Sequence, residues 1–177
     1  MRSTRSRPLR HDLVAMTLAA AASAVALEAS AAVDAFAKFG DIKGESQDDK
    51  HKGYSDVLSW SWSGQGMPRK VGCANELNLV KPIDITSPTL VEFMAQGKLL
   101  ATAVLAVRKP IPDASDYLVI TMTSVAIMAL HPGGSQSGEA LEQVSLSYAS
   151  AKVKYDLPDP ATGQVRTVES TIEGCPP

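Results

Sequence analysis

The histidines are the first residues to test for chemistry, because imidazole binds metals and moves protons near neutral pH. The chain has three, at His11, His51 and His131. None has the spacing of a His-Glu-x-x-His metal motif. His51 follows Asp48 and Asp49, and such a set could hold a metal weakly. Because segment 44–53 mixes charges of both signs without an apolar face, the sequence favours a solvated loop and predicts no metal site.

Two other patterns fall short of a catalytic site. Segment 133–138 (GGSQSG) lacks both the Gly-Lys-Ser/Thr ending of a phosphate loop and the Gly-x-Ser-x-Gly order of a nucleophile elbow. It is typical of a flexible hairpin loop. Asp113 and Asp116 lie around a Pro-containing turn, where aspartate is favoured for its backbone geometry. We therefore predict no catalytic residues, no cofactor and no enzyme activity.

The elements that would position a functional side chain are mostly strands. From residue 57 onward the sequence alternates, which places Leu58, Trp60 and Trp62 on one face of a strand. The opposite, water-facing side carries the serines Ser59, Ser61 and Ser63. We predict that the tryptophans are core anchors, together with two phenylalanines of the preceding apolar strand, Phe36 and Phe39.

The remaining chain predicts further strands and one short helix. Apolar or alternating stretches lie at 77–82, 99–107, 117–130, 141–155 and 165–172. In the stretch 141–155 the apolar parity changes, which suggests a β-bulge near Ala149 or Ser150. Ser87 as N-cap, Pro88 at N1 and a closing Gly97 predict the helix. The expected fold class is mainly β, an antiparallel β-barrel or sandwich of two packed sheets flanked by one short α-helix.

The first 31 residues have the pattern of a secretory signal peptide. Four arginines precede an apolar run at 13–27, and Ala29, Ser30 and Ala31 follow it. This run of about 15 residues is shorter than the roughly 20 that span a bilayer as a helix. We expect cleavage after Ala31, no stable membrane insertion afterwards, a periplasmic or secreted location, and a single domain at 32–177.

Charge and cysteine content limit the partners and the compartment. The formal net charge is −2, which argues against a nucleic-acid surface. The two cysteines, Cys73 and Cys175, both follow the predicted signal, and exported cysteines meet an oxidising compartment. We predict a disulfide between them, with two unpaired or intermolecular cysteines as the alternative.

Three segments carry a family resemblance: 32–36 (AVDAF), 39–46 (FGDIKGES) and 56–62 (DVLSWSW). In this order they resemble the haemolysin-coregulated protein (Hcp) family of type VI secretion, and the likeness extends through the later strands. The resemblance implies a non-enzymatic protein that forms a homohexameric ring, stacks into a tube and carries secreted cargo. The implied partners are other type VI secretion components and small secreted effectors, with Ser59, Ser61 and Ser63 facing the lumen.

Two features keep a second interpretation open. An export signal is unusual for the family, and the connection at 64–74 is shorter than the extended loop through which family rings contact one another. The alternative is a periplasmic binding or adaptor module that keeps the Hcp-like fold and does not form tubes.

Overall fold

The computed structural model describes residues 33–63, 76–110, 114–134, 136, 138–159 and 161–174. The predicted signal peptide, the connection at 64–74 and both cysteines, Cys73 and Cys175, lie outside the described residues. Cleavage after Ala31 and the disulfide therefore stay predictions.

The described residues form eight strands and one α-helix. In chain order they are β1 (Asp34–Phe39), β2 (Ser55–Val57), β3 (Ser59–Ser63), β4 (Glu76–Pro82), α1 (Ser87–Gln96), β5 (Leu100–Arg108), β6 (Asp116–Gly133), β7 (Leu141–Pro158) and β8 (Val165–Glu173).

The strands belong to one curved antiparallel sheet. Its order is β2-β1-β5-β6-β7-β4-β3, and β8 pairs with the far half of β7. The two ends of this order approach each other, because the Leu58 N–H donates to the Val80 carbonyl at 2.8 Å. Because no hydrogen-bonded ladder joins β2 to β3 among the described residues, the sheet curves like a barrel without closing into one. The predicted mainly β, antiparallel fold with one short helix is confirmed, although one continuous sheet takes the place of two separate ones.

The core lies inside the curve of this sheet. Its largest fully buried apolar side chains include Tyr148, Phe39, Leu105 and Leu146. They alternate with outward residues along each strand, as a half-buried sheet requires. Their burial is the main contribution to stability, since apolar area removed from water contributes about 25 cal/mol per Å².

The predicted alternation fails at Leu58. Leu58 is 58% exposed, while its neighbour Val57 is buried. The chain bends here, because β2 pairs with β1 whereas β3 pairs with β4. The bend exchanges the two faces, so that Val57 before it and Trp60 after it both point inward. The prediction that Leu58 shares the tryptophan face was therefore wrong.

The parity change of β7 has a different cause from the predicted bulge. Tyr148 and Ala151 are both buried, so the faces do exchange between them. The register nevertheless continues unchanged from Thr123↔Ser150 to Val125↔Tyr148. Ser124, opposite Ala149, adopts a φ of 48°, which few residues other than glycine adopt. Both strands turn together at this corner, and the bulge in β6–β7 pairing lies elsewhere, between Ile127 and Ala129.

Helix α1 has the predicted extent but a different N-cap. Thr86 occupies the cap position and its side chain makes no capping bond, while Ser87 is the first helical residue. Gly97 ends the helix with a φ of 61°, a left-handed conformation that suits glycine. Ser87 has another role, which is to bind a carboxylate on β7.

Candidate functional site

The three serines of β3 lie on the outside of the sheet. Ser59, Ser61 and Ser63 are all exposed, and the register sets Ser61 opposite Asn78 of β4. Asn78 in turn lies opposite Ser145 of β7, whose hydroxyl donates to the Asn78 side-chain oxygen. Small polar side chains therefore continue across three neighbouring strands.

We call this surface the polar face. Rows on either side of Ser61 extend it, because Ser59 and Ser63 align through β4 with Gln143 and Ser147 of β7. Its members are Ser59, Ser61, Ser63, Asn78, Gln143, Ser145 and Ser147. These seven are uncharged and most are short, although Ser145 is only 5% exposed, and the charged Glu76 and the apolar Val80 of β4 lie among them. Hydroxyls and amides can both donate and accept hydrogen bonds, so the surface can make weak contacts with many different polypeptides.

The tryptophans lie beneath the polar face. Trp60 and Trp62 are partly buried and pack against the core. The Trp62 indole N–H donates to the Tyr148 hydroxyl at 2.6 Å, which ties β3 to β7 across β4. Burial raises the pKa of Tyr148, although the bond from Trp62 opposes this effect. Of the other predicted anchors, Phe39 lies in the core, whereas Phe36 is buried on the opposite side of β1.

A buried charge cluster lies on the inner side of the strands that carry the polar face. Lys81 is 0% exposed, and its ammonium contacts Asp84 Oδ1 at 2.7 Å and Glu142 Oε1 at 2.8 Å. It also donates to the Pro82 carbonyl at 2.9 Å. Ser87 Oγ donates to Glu142 Oε1 at 2.7 Å. All three ammonium protons thus have acceptors, and the cluster joins β4, β7 and the start of α1.

Asp84 extends this cluster to β2. Ser55 Oγ donates to Asp84 Oδ2 at 2.6 Å, and the Thr86 N–H donates to Oδ1 at 2.9 Å. Burial alone would raise the pKa of Asp84, but the bonds from Lys81, Ser55 and Thr86 outweigh it and hold that pKa below its ordinary value. Asp84 therefore remains ionised opposite the buried ammonium at neutral pH.

The loop at 44–53 is not simply solvated, contrary to the sequence-based prediction. His51 is only 3% exposed, and its ring contacts Asp48 and, from a distant part of the chain, Asp116. Arg108 also contacts Asp48. Several side chains of the loop do face water, but these contacts fix it to the outer side of β1.

Asp48 gives this loop an acid-sensitive contact. Burial raises its pKa, but hydrogen bonds from His51 and Arg108 outweigh that effect and lower the pKa from 3.8 to about 2. A folded-state pKa below the unfolded one means that the contact stabilises the fold above about pH 4 and is lost as the pH falls toward 2.

We accordingly expect Asp48→Asn to lose less stability than the unsubstituted protein between about pH 5 and about pH 2, measured by urea unfolding at each pH. Asp49→Asn is the matched control, because the Asp49 side chain is 96% exposed. Equal acid profiles for Asp48→Asn and the unsubstituted protein would contradict the assignment.

Comparison with known proteins agrees with this arrangement. A sequence profile described as "Type VI secretion system effector, Hcp" matches residues 36–155. Protein hcp1 of Pseudomonas aeruginosa is 37% identical over 144 residues, which cover 75% of this chain and 88% of that protein. The chain belongs to the Hcp family.

Solved Hcp structures share the fold. Hcp1 from Salmonella typhimurium has a TM-score of 0.69 and 33% identity, covering 80% of this chain and 94% of its own. A type VI secretion system effector from Yersinia pestis has a TM-score of 0.66 and 26% identity, covering 79% of this chain and 99% of its own. This chain is thus an Hcp-like type VI secretion tube protein, and its family is one of structural, secreted proteins and not of enzymes.

Sequence reasoning found part of the site and missed the rest. It placed the three serines outward, but it did not connect them with Asn78 and Ser145, because alternation along a strand does not reveal which strands are neighbours. It also missed the buried Lys81. Among the described residues, no group of three or more His, Cys, Asp or Glu side chains could hold a metal. In the same part of the chain, no helix is long and apolar enough to span a membrane.

Proposed function

We propose that this Hcp protein assembles into homohexameric rings whose openings are lined by the polar face, and that these rings stack and carry small secreted effectors. The observation that carries the proposal is the polar face itself. Seven uncharged side chains on three adjacent strands, interrupted by Glu76 between Ser63 and Ser147, form a mostly uncharged surface that interacts only weakly with charged cargo. Such a surface suits a conduit through which different polypeptides pass.

The ring is supported by an uncovered strand. Among the described residues, β8 pairs with β7 alone, and its residues are exposed except for the partly buried Ile172. Val165 and Val168 are among the exposed apolar side chains. A nine-residue edge strand is a template for pairing with another chain, and proteins usually cover or protect such an edge. A neighbouring subunit would provide that cover.

Light scattering and negative-stain microscopy of the purified chain test the ring. We expect a particle of six times the mass of one chain, with an annular image. A monomer at tens of micromolar, bound to a distinct partner in a pull-down, would instead favour the periplasmic adaptor module.

The lumen assignment has its own test. Ser61→Cys and Val91→Cys would each be biotinylated in the intact ring and then exposed to streptavidin, with the Cys73→Ser, Cys175→Ser background as a blank. Val91 is an exposed residue of α1, so it is the matched control. We expect streptavidin to bind the Val91 site at once and the Ser61 site only after the ring is dissociated. Equal access at both sites would exclude a lumenal Ser61.

Export before assembly is the second part of the proposal. We expect the mature protein to begin at Ala32 and to contain a Cys73–Cys175 disulfide, which by the chain-entropy model contributes up to about 4.7 kcal/mol for a loop of about 100 residues. Intact mass after secretion checks the first point. Gel mobility with and without reductant checks the second, and unchanged mobility with two titratable thiols would contradict it.

A further inference from the structure

The 44–53 loop is a compact unit with a closed neck. The Gly44 N–H donates to the Gly53 carbonyl at 2.9 Å, and the Ser46 N–H donates to the Tyr54 carbonyl at 2.8 Å. A Cβ on Gly44 would lie 2.2 Å from the Tyr54 oxygen, so a residue with a side chain does not fit there. The loop therefore leaves β1 and returns to β2 as one piece.

His51 holds this loop against the outer side of β1. Its ring stacks on Phe36 with centroids 4.2 Å apart and planes within 5° of each other. The ring of Tyr54 meets it edge-on at 5.2 Å. Phe36 is buried but lies outside the main core, because it points away from the curve of the sheet. The loop thus covers part of Phe36 through His51, while the Arg108 guanidinium of β5 also lies over the Phe36 ring, 5.0 Å from its centroid.

Both nitrogens of the His51 ring face carboxylates. Nδ1 lies 2.8 Å from Asp48 Oδ1, and Nε2 lies 3.1 Å from Asp116 Oδ2. An ionised carboxylate only accepts hydrogen bonds, so both ring nitrogens must carry a proton to make both contacts. The closed loop is therefore the loop with an imidazolium ring.

Further charged groups surround the His51 ring. Arg108 contacts Asp48 and donates through Nε to Asp34 Oδ2 at 3.3 Å. Among the described residues, the groups that face His51 or its partners are Asp48, Asp116, Tyr54, Arg108, Asp34, Lys50, Lys38 and Lys154. Carboxylates, lysines, arginines and tyrosines ordinarily keep one charge state between about pH 6 and about pH 9, whereas imidazole does not.

Two of these neighbours, Asp48 and Tyr54, keep one charge state over a wider pH range than usual. The pKa of Asp48 is about 2, as described above. Burial raises the pKa of Tyr54, and the charge of Asp116 raises it further. Neither group changes its charge in the range where histidine does.

We propose that the 44–53 loop is a proton-dependent latch, which His51 holds closed while both ring nitrogens are protonated and releases when one proton is lost. A neutral ring turns a lone pair toward one of the two carboxylates, so a hydrogen bond is replaced by repulsion. Among the described residues Asp116 Oδ1 already has no hydrogen-bond partner, and loss of the Nε2 contact removes the bond to Oδ2 as well. Opening the latch uncovers the part of Phe36 that His51 contacts.

Amide hydrogen exchange of the full chain at several pH values tests the latch. The reporters are the Tyr54 N–H, bonded to the His51 carbonyl at 3.0 Å, and the His51 N–H, bonded to Asp48. After correction for intrinsic exchange, we expect their protection to fall about tenfold or more between about pH 6 and about pH 8.5. The Leu58 N–H, bonded to Val80, is the internal reference and should not change. Light scattering confirms that the oligomeric state is the same at each pH.

Three variants separate the latch from a general pH effect. His51→Gln should show low protection of the loop at every pH, while His131→Gln, at an exposed histidine, should keep the tenfold fall. Asp116→Asn should keep the loop closed at about pH 8.5, because an asparagine amide can donate to the neutral Nε2. Constant protection in the unsubstituted protein, loss of the pH dependence in His131→Gln, or an open loop in Asp116→Asn at high pH would each overturn the proposal.

Discussion

Lys81→Met is expected to lower the free energy of unfolding by about 3 to 5 kcal/mol, one of the largest effects of any single substitution in this protein. Methionine matches the length and shape of the aliphatic stem of lysine but removes the ammonium. Glu142, which is 1% exposed, then keeps a buried charge opposite no cation, and Asp84 loses one of its bonds. Urea unfolding at a fixed protein concentration measures the change, since assembly makes stability concentration-dependent.

Two controls make this prediction specific. Lys98→Met breaks the ion pair with Glu92, in which both side chains are about half exposed, and should cost less than about 1 kcal/mol. The double variant Lys81→Met, Glu142→Gln should recover part of the loss, because no charge of that pair remains buried. A loss below about 1 kcal/mol for Lys81→Met would show that water reaches the cluster.

The second large effect is expected at Phe39. This side chain is 1% exposed within the curve of the sheet, so Phe39→Ala removes a full aromatic ring and leaves a cavity. We expect a loss of about 3 to 5 kcal/mol, measured by urea unfolding with an unchanged m value. Trp60→Ala should cost less than Phe39→Ala, because Trp60 is only partly buried.

Val91→Ala is the control for Phe39. Val91 is an exposed residue of α1, and alanine has the higher helix propensity, so the change in stability should stay within about 1 kcal/mol. If Phe39→Ala were as mild as Val91→Ala, the assignment of Phe39 to the packed core would fail.

Strand alternation and turn chemistry allowed much of the fold to be predicted. The inward positions of Leu77 and Leu79 follow from their alternation with polar residues, and both are fully buried. Gly97 predicted the end of α1 correctly because a left-handed residue there favours glycine. The predicted face of Leu58 was wrong because a strand that changes partners also exchanges its faces. The local sequence pattern does not indicate such a change.

The functional surface depended on long-range pairing. The serines of β3 were evident as an outward row, but the polar face exists only because β4 joins β3 to β7, a strand more than 60 residues away in the chain. The buried cluster has the same origin. Lys81 continues the inward parity of Leu77 and Leu79, and its burial is tolerated because Glu142 comes from β7.

His51 is the clearest example of a residue whose contacts the sequence alone did not determine. The sequence by itself determined the family, the mainly β fold, the outward serines and the nearby Asp48. Only the tertiary structure brought Asp116, 65 residues further along, to the second ring nitrogen and turned a polar loop into a buried contact. The physical reason is that periodicity reports the side of a strand on which a residue lies, whereas its partners across space are set by how the whole sheet pairs and curves.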